Sequence, residues 1–352
     1  MQITATAGST ASRSTDSAEA ALYAAIDAVI DNKTKPRGSL GELETLARKI
    51  CRIQRTCQPA IKAPSILVFA ADHGVVAENI SAYPQSVTWQ MVENFLAGGA
   101  AINVFARQSD CALRIVDAGV NHVFGARDGL LDRKIAAGTQ NFAIQAAMSA
   151  EQCRKAMQHG AELIADCEGN LIGFGEMGIG NTTSAAAILH KLTGLDVARC
   201  VGAGTGLSAA GVLHKQAVIE AAVARHVGVE APLEVLATFG GFETAMMVGA
   251  MLAAAERGMI LLIDGFIVSS AVLVAAQLRP DLLEDCVFSH CSDESGHRPM
   301  LEFLGVRGLL DLRLRLGEGS GCALALPLLH AAVNFVCEMA TFESAQVSEK
   351  IG

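Results

Sequence analysis

The sequence predicts an α/β protein: a parallel, Rossmann-like sheet covered by helices, with a smaller helical domain formed by the N- and C-terminal segments. Of its 352 residues, 51% are hydrophobic and only 18% are charged, so the chain can bury a large core. From residue 65 onward, short apolar runs alternate with helical segments, which is typical of a parallel sheet buried on both faces. The 34 glycines and 5% aromatic residues favour packed helices and glycine-rich loops over a β-sandwich.

The chain opens with a polar tail and two helices. Residues 1–17 are rich in Ser and Thr and predict a flexible tail rather than a signal peptide. An Ala-rich helix is expected over 18–30, and a basic turn over 33–38 separates it from a second helix. Ser39 and Glu42 have the spacing of a capping box at the start of that second helix.

The central part of the chain predicts the sheet and its covering helices. The apolar runs expected to form strands are 65–71, 112–116, 170–175, 234–239, 259–263 and 285–289. Helical patterning is found over 87–108, 149–168, 182–192, 207–227, 245–257 and 268–278.

These elements predict the domain organisation. A large α/β domain over 61–300 is expected to carry the site. The small helical domain combines residues 18–60 with the C-terminal segment 301–352, which includes the loop around Glu318.

Polar groups finish five of the six predicted strands. In open parallel sheets, ligands bind outside the carboxyl ends of the strands, so these groups predict a polar site along one edge. Asp and Gly also terminate strands for purely structural reasons, and any single strand end leaves both interpretations open. The strand ends are Asp72-His73-Gly74, Asp117-Ala-Gly119, Glu176-Met-Gly178, Asp264-Gly265 and His290-Cys-Ser292.

The segment 175–183 runs from a predicted strand into a helix and predicts an anion cradle. Gly178 and Gly180 allow backbone amides to approach a ligand, and the helix N-terminus adds partial positive charge. The order of glycines matches neither the dinucleotide fingerprint nor the P-loop. A tight turn capped by Asn181 or Thr182 is the alternative.

Two later segments add to this candidate site. Residues 202–206 form a second glycine-rich loop before the helix that carries Lys215, whose charge would suit a phosphate. Glu318 lies between glycines, directly before the uncharged stretch 322–329. A carboxylate at the rim of an apolar pocket has a raised pKa and can act as a general base; an ordinary exposed turn is the alternative.

Charge and cysteine spacing exclude several classes of protein. The formal net charge of −9 repels polynucleotides and anionic membranes. The ten cysteines include no C-x-x-C pair, which indicates a reducing cytoplasm. Residues 289–297 contain metal-binding residue types without a metal-site spacing, so we expect a polar loop lining the site and no metal. The apolar stretches 259–278 and 319–337 are interpreted as buried segments of a soluble protein.

In combination, these motifs resemble those of the nicotinate-nucleotide–dimethylbenzimidazole phosphoribosyltransferase family, which makes the lower-ligand nucleotide of cobalamin. The resemblance covers nearly everything after the tail. The segments that carry it are 35–41 (KPRGSLG), 71–75 (ADHGV), 83–88 (YPQSVT), 175–183, 202–207, 240–243 (GGFE), 264–266, 289–297 and 316–321 (LGEGSG).

The resemblance implies a base exchange. Nicotinate leaves C1′ of nicotinate mononucleotide, 5,6-dimethylbenzimidazole attacks from the opposite face, and α-ribazole 5′-phosphate forms. Glu318 aligns with the family's catalytic base and Glu176 with a second acidic residue of the active site. The resemblance further implies a homodimer that acts on these small molecules. No nucleic acid partner, membrane partner or cofactor is expected.

It also implies the binding residues. Those expected at the phosphate and ribose are Gly178, Gly180, Asn181, Thr182, Gly202, Gly204, Lys215, Asp264 and Ser292. Those expected at the aromatic base are Tyr83, Gln85, Met91, Met177, Leu316 and Gly317. The segment 83–91 varies among relatives, and some members accept adenine or other bases, so the base stays open.

Two other functions compete with this enzyme. A regulatory protein that binds a nucleotide or anion could use the same cradle, but it has no need of a base at Glu318. A Rossmann dehydrogenase is disfavoured, because no G-x-G-x-x-G follows a strand with an acidic residue about 20 positions on.

Overall fold

The structure is a computed structural model that describes residues 17–204 and 206–348. Six parallel strands form one sheet in the order β3-β2-β1-β4-β5-β6, which confirms the predicted parallel sheet and has the Rossmann strand order. All of the predicted tail except Ser17 lies outside the described residues. The strands are β1 (Ser65–Ala71), β2 (Ala112–Gly119), β3 (Leu130–Asp132), β4 (Leu171–Met177), β5 (Ile260–Ile263) and β6 (Cys286–Phe288).

Helices connect and cover these strands. All seven residues of β1 are buried, as expected for a strand in the middle of a covered sheet. The helices are α1 (Ser17–Asp31), α2 (Glu42–Ile53), α3 (Val87–Ala97), α4 (Ala101–Gln108), α5 (Ala150–Ala165), α6 (Asn181–Thr193), α7 (Val197–Cys200), α8 (Ala209–Arg225), α9 (Pro232–Phe239), α10 (Phe242–Glu256), α11 (Phe266–Leu278), α12 (Leu282–Asp285), α13 (His297–Leu304) and α14 (Ser320–Glu338). Helix α10 packs against β1, β2, β4 and β5, and α3 packs against β1, β2 and β4.

Two predicted elements are wrong in type or extent. The apolar run 234–239 is not a strand but the buried part of α9, which begins at Pro232, a residue that suits the first helical position. The single helix expected over 87–108 is two helices, because α3 ends at Ala97 and the next residue, Gly98, has a left-handed φ of 79° that stops the helix. The edge strand β3 was not predicted; it has only three residues.

By its contacts, the chain divides into two compact units. One comprises Ile61–Leu329, and the other comprises the described residues up to Ala60 together with those from His330 onward. Residues 301–329, including Glu318, therefore group with the sheet rather than with the small unit, where the expected boundary at 301 would place them.

Within the small unit, backbone and side-chain hydrogen bonds join the two ends of the chain. Lys33 forms an antiparallel bridge with Thr341, and its Nζ donates to the carbonyl oxygen of Met339 at 2.8 Å. The predicted capping box at Ser39 is wrong. Gly41 precedes α2 instead, and the Leu40 amide donates to Glu44 Oε1 at 3.1 Å.

One helix among the described residues, α14, is long and apolar enough to cross a membrane by length and composition alone. Of its apolar window, 56% is buried inside the protein. Buried core helices of globular proteins meet the same two criteria, and α14 also contains Pro327.

Candidate active site

The candidate site lies at the carboxyl ends of β1 and β4, where the strand order reverses. Ligands of open α/β sheets bind at such a switch point. The two strands pair in parallel, with Phe69 opposite Glu176 and Ala70 opposite Met177. Beyond Met177 the chain turns directly into α6. The sheet topology therefore brings the predicted strand-end groups to one edge.

A crevice with an empty volume of about 610 Å³ opens at this edge. Nine predicted site residues line it: Glu176, Met177, Gly178, Asn181, Thr182, Gly204, Ser292, Leu316 and Gly317. The expectation that the loop 289–297 lines the site is confirmed, because His290 and Glu294 join Ser292 on the wall. Phe266 and Arg315 also line the crevice and were not singled out from the sequence.

A smaller cavity of about 300 Å³ adjoins the crevice at the start of α6. Gly178, Asn181, Thr182 and Gly204 line both spaces, whereas Lys215 lines only the smaller one. The predicted Gly180 also lines it, directly before the first residue of α6. The amides and partial positive charge of the helix N-terminus therefore face a cavity that also holds a lysine.

Lys215 is the buried cation of this cavity, with a residue exposure of 1%. Its Nζ donates a hydrogen bond to Thr182 Oγ1 at 2.7 Å. Burial lowers the pKa of Lys215 to about 8, and the nearby Glu294 carboxylate opposes that shift. The negative charge of an anion bound here would offset the effect of burial and favour the charged ammonium.

Arg315 contributes a second cation to the crevice wall. Its Nη1 donates to the Gly204 carbonyl oxygen at 3.3 Å, which ties the glycine-rich loop to the end of the chain that carries Glu318. Gly202 lies behind this wall, because a Cβ added there would approach Glu294 Oε2 to 2.4 Å. Gly202 thus leaves room for Glu294 and lines neither cavity.

Glu176 is the buried acid on the crevice wall. Asn181 Nδ2 donates a short hydrogen bond to its Oε2. Burial, followed by the negative charges of Asp264 and Glu243, raises the pKa of Glu176 to about 8. At neutral pH this side chain is therefore mostly a neutral acid, able to donate a hydrogen bond to a ligand.

Glu318 lies in a backbone conformation that non-glycine residues rarely adopt. Its φ is 65°, and Gly317 and Gly319 on either side have φ values of 81° and 83°. A left-handed backbone conformation is unfavourable for a non-glycine residue, and residues held in it cluster at functional sites. The loop is also tight, since a Cβ on Gly317 would lie 2.1 Å from Glu176 Oε1.

The Glu318 carboxylate is buried, and its Oε2 has no hydrogen-bond partner among the residues that the structure describes. Burial raises the pKa of Glu318 to about 7; a hydrogen bond from the Ile102 backbone opposes the rise, and the charge of Asp264 adds to it. The crevice wall includes Gly317 but not Glu318 itself, whose carboxylate lies near the first turn of α4. Glu318 thus lies next to the crevice and not on its wall.

The remaining predicted residues are placed apart from the crevice. Asp264 is fully buried behind the Glu318 loop and accepts hydrogen bonds from it. Gln85 donates to the carbonyl oxygen of His73 at 3.3 Å, and Tyr83 is half exposed. Tyr83, Gln85 and Met91 line neither of the two cavities.

Sequence reasoning missed a buried ion pair behind the site. His73 Nε2 lies 2.8 Å from Glu243 Oε1, and both side chains are fully buried. The Glu243 and Asp72 carboxylates raise the pKa of His73 against the effect of burial. The motifs at 71–75 and 240–243 contained these residues, but their 170-residue separation hides the pairing.

Comparison with known proteins gives consistent matches over this whole arrangement. A family model described as Phosphoribosyltransferase (DBI_PRT) matches residues 15–347. A protein of Janthinobacterium sp. (strain Marseille), named nicotinate-nucleotide–dimethylbenzimidazole phosphoribosyltransferase, is 67% identical over 333 residues, 94% of this chain and 96% of the relative. A protein of the same name from Dechloromonas aromatica (strain RCB) is 57% identical, over 94% of this chain and 97% of the relative.

A solved structure also matches this chain over nearly its whole length. The crystal structure of CobT from Thermus thermophilus matches with a TM-score of 0.91 and 44% sequence identity, over 94% of this chain and 100% of that one. Since the family model and the relatives each span nearly the whole chain, this protein belongs to the nicotinate-nucleotide–dimethylbenzimidazole phosphoribosyltransferase family and is a phosphoribosyltransferase.

Proposed function

We propose that this enzyme transfers the phosphoribosyl group of nicotinate mononucleotide to 5,6-dimethylbenzimidazole in the assembly of the cobalamin nucleotide loop. The two substrates are those in the names of its relatives. The products are α-ribazole 5′-phosphate and nicotinate, and the configuration at C1′ is inverted.

The bond between C1′ and the pyridinium nitrogen breaks, and its electron pair passes to the ring nitrogen of nicotinate. One nitrogen of the benzimidazole forms the new bond to C1′ from the opposite face. Its other ring nitrogen loses a proton. Because the leaving ring is already cationic in the substrate, positioning, a base and electrostatic stabilisation suffice for the exchange.

The observation that carries this proposal is the buried Glu318 carboxylate with an unpartnered oxygen. With a pKa of about 7, a large fraction of Glu318 is ionised at neutral pH, yet it remains basic enough to take a proton. We assign it as the base that accepts the benzimidazole proton. The aromatic base would lie between the Glu318 carboxylate and C1′, with C1′ in the crevice near Gly317.

The cavity at the start of α6 supports the phosphate end of the proposal. Lys215, Thr182 and the amides of the helix N-terminus provide the donors that a phosphate needs. Glu176 on the intervening wall is assigned as the second acidic residue, close to the ribose. A ligand-binding regulator would explain the cradle but not the buried, basic carboxylate beside it.

A homodimer in the cytoplasm completes the proposal. The dimer follows from the resemblance to the family, and the cytoplasmic location from the cysteine spacing. Sedimentation of a monomer at micromolar concentration would contradict the dimer.

The direct test is chromatography with mass detection after incubating the protein with nicotinate mononucleotide and 5,6-dimethylbenzimidazole. The expected result is equimolar α-ribazole 5′-phosphate and nicotinate, with the anomer assigned by NMR. Product with adenine but not with the benzimidazole would change the assigned base. Absence of product with any base would refute the proposed reaction.

A further inference from the structure

We infer that Asp264 is a positioning residue for the proposed base: its two carboxylate oxygens hold the loop that carries Glu318 in its left-handed conformation. This inference rests on the proposed function of Glu318. It assigns Asp264 a contact with the protein's own backbone in place of the expected contact with ribose or phosphate.

Asp264 follows β5 directly and is fully buried. Its Oδ2 accepts a hydrogen bond from the Gly319 amide at 3.1 Å, and its Oδ1 accepts one from the Gly321 amide at 2.7 Å. One carboxylate therefore binds two amides on the C-terminal side of Glu318, within three residues of it. Hydrogen bonds to an ionised acceptor are about twice as strong as neutral ones.

The loop needs such a contact. Three consecutive residues have left-handed φ, a conformation that is unfavourable for a residue with a side chain such as Glu318. Conformations of this kind persist where the surroundings determine them. The Ser320 amide adds a turn hydrogen bond to the Gly317 carbonyl oxygen at 3.1 Å, but nothing in that bond fixes the loop to the sheet.

The sheet closes the other side of the loop. A Cβ on Gly175 would lie 2.5 Å from the Glu318 carbonyl oxygen, and one on Gly319 would lie 2.9 Å from Ile66 Cγ2. The backbone of Glu318 therefore lies directly against β4 and that of Gly319 against β1, while Asp264, at the end of β5, holds the amides of Gly319 and Gly321.

Asp264 also sets the electrostatic environment of the site. The groups that face it are Glu318 on the loop, Glu176 on β4, Cys322 on α14 and His290 after β6, whose Nε2 lies 3.6 Å from Oδ1. The negative charge of Asp264 raises the pKa of Glu318, Glu176 and Cys322. Removing that charge should therefore make Glu318 easier to ionise.

The testing variant is Asp264→Asn, which keeps the shape but points an amide group at one of the two backbone donors. We expect kcat to fall by ~10²-fold or more, because the base is misplaced, while KM for nicotinate mononucleotide changes less than threefold. The acidic limb of the kcat profile should also move to lower pH, by about 0.5–1 unit, since a neighbouring negative charge is gone.

Asp117→Asn is the matched control. Asp117 is likewise a buried carboxylate at the end of a parallel strand, and its Oδ1 accepts the Val120 amide at 2.9 Å. It should lose stability without moving the acidic limb. If the acidic limb of the kcat profile of Asp264→Asn stays at the same pH, Asp264 has only a structural role. A large rise in KM with unchanged kcat would instead support the expected contact of Asp264 with ribose or phosphate.

A measurement on the unaltered protein covers the case in which Asp264→Asn does not fold. Amide exchange, resolved to single residues by fragmentation in the mass spectrometer, should show Gly319 and Gly321 protected well above the loop residues Gly125 and Gly129. Rapid exchange at both positions would overturn the inference. Protected amides together with a fully active Glu318→Gln variant would leave the contact intact and refute the proposed base instead.

Discussion

The candidate site has an acidic half, around Glu176 and Glu318, and a cationic half, around Lys215, and burial shifts the pKa values of the two halves in opposite directions. In the acidic half, desolvation raises the pKa of Glu176 to about 8 and that of Glu318 to about 7. In the cationic half, desolvation lowers the pKa of Lys215 to about 8. Groups that ordinarily titrate about six units apart therefore titrate within about one unit of each other, close to neutral pH.

The difference between the halves lies in how each is held. The acidic half is built on strand ends and on a left-handed loop fixed by backbone contacts. The cationic half is built on a helix N-terminus and on side chains that bond to each other, such as Lys215 with Thr182. A rigid backbone suits proton transfer, which needs a fixed geometry, whereas binding a phosphate needs mainly charge and donors.

The largest effect is expected from a variant in the acidic half. Glu318→Gln should lower kcat by about 10³-fold, because general-base catalysis contributes roughly 10²–10⁴. Affinity for nicotinate mononucleotide should stay within threefold of the unaltered protein. Stopped-flow and steady-state rates check the first statement, and calorimetric titration with the nucleotide checks the second. Unchanged kcat would remove Glu318 from its assigned role.

A second variant of the acidic half should gain stability. The folded-state pKa of Glu176 is raised from its ordinary value of 4.5 to about 8, so the folded state holds an extra proton between these values. Folding is therefore penalised progressively as pH rises from about 4.5 to 8, by an amount on the order of 5 kcal/mol. Glu176→Gln removes the ionisable group and should melt higher than the unaltered protein, by a margin that grows from pH 5 to pH 8. A margin independent of pH would contradict the burial argument.

In the cationic half, Lys215→Ala should weaken the binding of nicotinate mononucleotide by about 10–100-fold. This is the loss expected when a charge-assisted hydrogen bond is removed. Affinity for 5,6-dimethylbenzimidazole, which has no phosphate, should change less than twofold. Equal weakening of both ligands in calorimetric titrations would show that Lys215 supports the fold and not the phosphate.

The smallest expected effect is on the pH dependence of activity, which depends on both halves. For kcat/KM of nicotinate mononucleotide, activity should rise through about pH 7 as Glu318 ionises and fall above about pH 8 as Lys215 loses its proton. Lys215→Arg should keep the rise and shift the fall upward by more than one unit, because guanidinium does not titrate in this range. If the fall in kcat/KM stays at the same pH in Lys215→Arg, the loss of activity above about pH 8 is assigned to ionisation of Glu176.

Local sequence patterns predicted those strands and helices whose ends are marked by nearby residues. Strand β1 was predicted with its observed bounds, and α6 within one residue at each end, because apolar runs and glycine boundaries fix both. The run at 234–239 was mispredicted because a short, fully buried apolar segment has no periodicity that separates helix from strand. Pro232 was the available signal for a helix start.

At the site, the sequence identified the residue types but not the partners. Rules about strand ends placed Glu176, Asp264 and Ser292 at one edge. They could not reveal that Asp264 faces the backbone of a loop more than 50 residues later, or that His73 pairs with Glu243, because such contacts depend on the folded sheet. The left-handed φ of Glu318 was equally hidden, although its two flanking glycines were a signal.

The position of the Glu318 loop near the end of the sheet unit has a consequence for biosynthesis. Domains generally fold as units during synthesis, and the cradle around Thr182 and Lys215 belongs to the same unit as the Glu318 loop, which ends at Leu329. That unit is complete only when more than nine-tenths of the polypeptide has been made. We therefore expect a chain truncated before residue 318 to lack both the proposed proton acceptor and the activity.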